Sequence, residues 1–218
     1  YKGNGDNISA PTETIYIPDF SLDGSEEPEV VGIYMINEKE EVVKIGYSIG
    51  NEFSDHVMEK QNYLYLAHSK LRQCSFGPEI NLGSIPSEIK GKSKIIRDNK
   101  VIWEKDFLSG EKNMSHSIEN LEHHHFKYEI FRKPGDLHIH YFGTATLSFS
   151  DGIKAQDGDI FEISSDSFVM PLKNKLKIKS KETVKFKNLI SLNYFASQHL
   201  ILSVIFLLDN SSQFCLSA

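Results

Sequence analysis

"EPEVVGIYMINEKEEVVKIGYSIGNEFSDHVMEK", residues 27–60, holds two runs rich in β-branched and aromatic residues, a polar segment between them, and a knot of acids after the second. Side chains of this kind suit a pleated surface. "NEKEE", residues 37–41, reads as the polar connection of a hairpin, so the stretch predicts an antiparallel strand pair. Its open end gathers Glu27, Glu29, Glu52, Asp55, His56 and Glu59. Residues two apart on a strand share a face, which places Glu27 and Glu29 together, and Glu52 leaves the end of the neighbouring run. Carboxylates on one face repel unless a cation lies among them. Three oxygen donors without cysteine suit a hard ion, Mg2+ or Mn2+. The alternative is a solvated acidic turn, common on protein surfaces.

Working outward, "TIYIPDF" (14–20), "KSKIIRDNKVIWEKDF" (92–107), "LHIHYFGTATLSF" (137–149) and "DGDIFEIS" (157–164) also read as strands. The second of these is a hairpin turning at Asp98-Asn99. One helical signal follows Ser117, an N-cap residue with Glu119 in the first turn, over "ENLEHHHFKYEIF" with Leu121, Phe126 and Ile130 apolar. Strands do not alternate regularly with helices, which argues against a doubly wound parallel sheet and for an α+β, mainly β chain with short helices. Composition changes near residue 174. "KLKIKSKETVKFK" (175–187) reads as a final edge strand blunted by lysine. The apolar run "LILSVIFLL" (200–208) is about half of the ~20 residues a membrane span needs and reads as a buried or partner-covered helix. The expected division is a catalytic domain over 1–174 and an atypical tail over 175–218, the tail being a possible non-native extension.

The chain has 218 residues, 39% of them apolar, and 24 basic against 30 acidic groups. That is enough apolar mass for a core, and without a basic stripe the footprint of a nucleic-acid binder is missing. Cys74 and Cys215 make no disulfide framework, which fits a reducing cytoplasm. The opening "YKGNGDNISAP" has neither methionine nor the basic start and apolar run of a signal peptide, and reads as a chain lacking an N-terminal portion.

Other chemistries compete. "GYSIG" (46–50) fits the G-x-S-x-G pattern, but Ser48 lies in a β-rich meander without the helix that a nucleophile elbow needs, and its glycines read as close-approach positions. Six of nine histidines fall between His116 and His140. His138 and His140 share a strand face, whereas His123, His124 and His125 point three ways around a helix. Neutral histidines against polar groups or a subunit are favoured over a transition-metal site. His56 is suited to orient a ligand or shuttle a proton. Lys70 and Lys2 are cations that could fix a carboxylate or enolate.

"GYSIGNEFSDHVMEKQNYLYLAHSKLRQCSFGPEI" (46–80) resembles the fumarylacetoacetate hydrolase superfamily, with its Gly-Tyr-x-x-x-Asn-Asp-x-Ser run, a following lysine and Phe-Gly-Pro. "EPEVVGIYMI" resembles the family's Glu-x-Glu strand, "KPGDLHIHYFGTATLSFSDG" its Pro-Gly-Asp and Gly-Thr segment, and "DGDIFEIS" its closing strand. The resemblance covers residues 1 to about 174 in consistent order. It implies a mixed β-roll or sandwich, a homodimer, and paired metal ligands at Glu27 and Glu29, with Glu52 in place of the usual third aspartate. It also implies Lys70 as the active-site lysine and substrate contacts from Lys2, Tyr63 and Thr144. His56 stands near the position of a missing arginine and is the candidate base. The implied chemistry is Mg2+- or Mn2+-dependent loss of water from a 2-oxo acid of the 2-keto-3-deoxy sugar-acid kind. C–C hydrolysis of a diketo acid, or an inactive relative, are the alternatives.

Overall fold

The computed structural model describes residues 1–186. Two sheets carry the architecture. One runs β1 (Thr14–Ile17), β10 (Leu172–Ile178), β9 (Ile160–Ser165), β6 (Ile89–Arg97) and β7 (Lys100–Ser109). The other runs β4 (Ser75–Phe76), β3 (Val42–Asn51), β2 (Pro28–Ile36) and β8 (Leu137–Tyr141), with β5 (Asn81–Leu82) paired to β3. Three short helices, α1 (His56–Gln61), α2 (Leu66–Lys70) and α3 (Ile118–Phe126), fill the gaps. The fold class is the mainly β arrangement expected from the sequence.

The β2–β3 hairpin is antiparallel from Pro28↔Asn51 to Ile36↔Val42. Its connection is held by Asn37 Oδ1, which accepts from the Lys39 and Glu41 amides at 2.9 Å each. β2 is flanked on both sides, by β3 and β8, and is buried along nearly its whole length. That is why it reads as an apolar run and not as an alternating one. The β6–β7 hairpin turns at Asp98 (φ 49°) and Asn99 (φ 60°), the two positive angles a type I′ turn requires.

The glycines around Ser48 do allow close approach: a Cβ on Gly46 would lie 2.1 Å from the Asn81 carbonyl oxygen, and one on Gly50 2.6 Å from Val31. Ser48 itself is buried inside β3 and donates to the Glu79 carbonyl at 2.6 Å. It sits on no strand-to-helix elbow.

The sheets meet through Ile49, Phe107, Ile163 and Leu172, one from each of β3, β7, β9 and β10. Ser117 caps α3 as predicted, accepting from the Asn120 amide. The helix ends at Phe126, and Ile130, expected on its apolar face, is 77% exposed in a separate 3-10 turn.

The lysine-rich stretch departs from its expected place. β10 is not an edge strand: β1 pairs with it in parallel, Thr14↔Lys175 to Ile17↔Ile178, and β9 covers its other side. Leu172, Asn174 and Leu176 are buried while the intervening lysines face out. Lysine alternation therefore marks a solvated face here, not a free edge. One compact unit runs from Tyr1 to Lys181 and contains the ten strands found among the described residues; Glu182–Ala218 form a second unit. The apolar helix expected at 200–208 lies outside the described residues, among which no helix is long and apolar enough to cross a membrane.

Candidate metal centre

Hairpin register assembles the centre. Pro28 faces Asn51, and the Glu52 amide donates to the Glu27 carbonyl at 3.0 Å, so Glu27 and Glu52 stand opposite each other at the open end. Glu29, one pleat further in, points the same way as Glu27. One oxygen from each of Glu27, Glu29 and Glu52 lies within 4.8 Å of the others. The carboxylates thus converge and are not splayed into water. Glu27 and Glu29 are buried, and Glu52 is half-buried.

Their environments differ. Glu29 Oε2 accepts from the Gly143 amide at 2.7 Å, while Oε1 is buried with no hydrogen-bond partner among the described residues. Burial, then the charges of Glu52 and Glu27, push its pKa well above the usual carboxylate range. Burial would raise Glu27 as well. There the His56 hydrogen bond and the Lys70 ammonium win, and hold it at about 2.

Lys70, at the end of α2, reaches Glu27 Oε1 and lies 3.3 Å from Glu52 Oε2. Burial works against its charge, but Glu27 and Glu52 outweigh it and raise its pKa. Lys2 donates to the Phe53 carbonyl, and burial, only partly offset by Glu52, lowers its pKa to about 8. His56 opens α1 with both ring nitrogens engaged, Nε2 on Glu27 Oε1 at 3.1 Å and Nδ1 on Ser25 Oγ at 2.5 Å. Its ring stacks on Phe149 with centroids 5.4 Å apart. Both ring nitrogens of His56 therefore have partners in this structure, one of them Glu27.

The remaining expectations divide. Thr144 follows Gly143, whose amide grips Glu29, and its Oγ1 accepts from the Thr146 amide at 3.2 Å. Tyr63 is not brought in: it lies in a 3-10 turn, 81% exposed, with no hydrogen bond to the carboxylates. Of the other acids, Asp55 has structural work, while Glu59 lies near Glu27 and His56 with a buried oxygen that has no partner among the described residues. Asp55 caps α1 through the Met58 amide and forms a buried ion pair with Arg72 at 3.0 Å.

Several supporting residues escape a reading by sequence. Glu26, fully buried, turns to the opposite side from Glu27 and accepts from the Ser148 amide and hydroxyl at 2.9 and 2.8 Å. Burial raises its pKa to about 7. It ties the 143–149 loop to the start of β2. Asn51 Oδ1 accepts from the Glu27 amide at 3.1 Å. The alternation that pairs Glu27 with Glu29 also sends Glu26 the other way, which was the available signal.

The donor set fits a hard divalent ion. All three donors are carboxylate oxygens, and Oε1 of Glu29 has no hydrogen-bond partner among the described residues.

No family model matches the chain, and no curated protein matches it by sequence. Solved structures do. "2-Keto-3-deoxy-D-arabinonate dehydratase complexed with magnesium and 2,5-dioxopentanoate" shares 25% identity over 80% of this chain and 60% of its own, with a TM-score of 0.65. The apo form of that enzyme gives 26% identity, the same coverage and a TM-score of 0.63. A 5-carboxymethyl-2-hydroxymuconate delta-isomerase from Mycobacterium smegmatis shares the fold at 20% identity, over 80% of this chain and 67% of its own, with a TM-score of 0.56. The chain therefore spans 60% of the length of the dehydratase it matches. The chain has the fumarylacetoacetate hydrolase superfamily fold, with a sugar-acid dehydratase among its structural neighbours.

Proposed function

We propose that this chain is the core of a divalent-metal-dependent lyase that removes water from a 2-oxo acid of the 2-keto-3-deoxy sugar-acid class. Glu27, Glu29 and Glu52 would hold Mg2+ or Mn2+. The observation that carries this is their convergence, with one oxygen of each within 4.8 Å of the others. When bound, such an ion supplies Lewis acidity toward the carboxylate and keto oxygens of a 2-oxo acid.

The chain's own residues supply the rest. Lys70, paired with Glu27 and Glu52, would hold the negative oxygen of the substrate as the C3 proton leaves. His56, fixed by Ser25 and Phe149, keeps Glu27 oriented. Gly143 does the same for Glu29, with Thr144 beside it at the mouth. Overall, one proton leaves C3 and hydroxide leaves the next carbon, for a net loss of water.

Two measurements test this. Calorimetry should show oxalate binding only when Mg2+ or Mn2+ is present, and a 2-keto-3-deoxy pentonate should be converted to a semialdehyde. Turnover of a 1,3-diketo acid alone would replace the lyase with a C–C hydrolase. Metal-dependent oxalate binding without turnover of either substrate would leave a binding domain. Oxalate binding that ignores metal would remove the site altogether.

A further inference from the structure

Alternation along β8 separates two sites. Tyr141 and Ile139 take one side of the strand and His138 and His140 the other. Tyr141 donates to the Ser75 carbonyl at 3.0 Å, on the side of the carboxylates. His138 and His140 instead meet His125, from the last turn of α3. One nitrogen from each of the three lies within 4.8 Å of the others.

We propose that His125, His138 and His140 form a second metal site, for a borderline divalent ion of the Zn2+ type, clamping α3 to the edge strand β8. Three observations carry it. His125 Nε2 and His138 Nδ1 are 3.2 Å apart. Two nitrogens on one tetrahedral ion, each about 2.0–2.1 Å from it, stand roughly 3.3–3.4 Å apart, so this pair already has the spacing of two ligands. The Nε2 of His140 is buried without a hydrogen-bond partner among the described residues, and such an orphan is rare unless something occupies it. The rings are also held in place: His125 stacks on Phe131 at 4.2 Å, and His140 lies 5.2 Å from Phe126 and 4.7 Å from Tyr34. Little side-chain freedom remains to be lost on binding.

The donor chemistry separates this site from the carboxylates. An all-imidazole set favours Zn2+, Co2+ or Ni2+ over Mg2+, which prefers oxygen. All three histidines are half-buried as residues, and the Nε2 atoms of His138 and His140 are buried. The competing account is a hydrogen bond between His125 and His138 with aromatic packing around it, and no ion involved.

Co2+ titration of the chelator-treated chain, in saturating Mg2+ to fill the carboxylate site, tests the proposal. The expected result is a visible absorption band of tetrahedral, nitrogen-bound Co2+ at one equivalent, displaced by Zn2+, with Zn2+ raising the melting temperature. The band should persist in Glu29→Gln and in a His123→Ala/His124→Ala double variant, and vanish in His125→Ala and in His140→Phe. The latter keeps a ring against Phe126, so loss of the band with an unchanged melting temperature in the absence of metal separates ligation from folding. Should either variant fail to fold, imidazole 15N shifts of the unmodified chain on adding Zn2+ decide the matter. A chain with no such band, a band that survives both single variants, or 15N shifts unmoved by Zn2+ would overturn the site.

Discussion

Glu29 is the most deeply buried of the three converging carboxylates. It is 1% exposed, one oxygen is bound by Gly143 and the other has no partner. Glu29→Gln keeps the shape and the Gly143 contact but removes a donor charge. Mg2+ affinity measured by calorimetry should fall by at least about 10–100-fold, the scale of even an indirect perturbation of a metal site. The metal-free melting temperature should hold or rise, because the repulsion with Glu27 and Glu52 is relieved. His56→Ala acts through Glu27 and should weaken Mg2+ by about 10–100-fold; unchanged affinity would remove its positioning role. Ser48→Ala should leave turnover intact and cost only about 1 kcal/mol in urea unfolding, the value of its bond to Glu79.

At the scale of elements, the β2–β3 hairpin does the aligning, and its glycines let β5 and β8 close on it. A methyl group on Gly46 would collide with the Asn81 backbone at 2.1 Å. Gly46→Ala should therefore cost about 1–3 kcal/mol of stability, seen in denaturant unfolding. Element identity was legible because it is local. The β-branched runs, the Asp98-Asn99 turn and the Ser117 cap are each decided within a few residues. The placement of β10 was not, because its partner β1 lies at the other end of the chain. A solvated face of alternating lysine looks the same on an edge strand and on an interior one with one face in water.

Across the whole molecule, burial and the charges of Glu52 and Glu27 disfavour the ionised form of Glu29, which a bound divalent ion would favour. Mg2+ at about 100 times its dissociation constant should stabilise the fold by about 2.7 kcal/mol. A thermal scan with and without chelator measures this, and equal melting temperatures would count against a site in the carboxylates.

The sequence by itself determined the strands, the turns and the carboxylate trio, since period-two alternation and a short hairpin carry Glu27, Glu29 and Glu52 to one end without help from distant residues. Only the tertiary structure decided that Tyr63 stays outside, that both nitrogens of His56 are engaged, and that His125 meets His138 and His140. Those outcomes depend on how loops and helices pack across the sheets. Such contacts join residues far apart in the chain, and no local pattern encodes them.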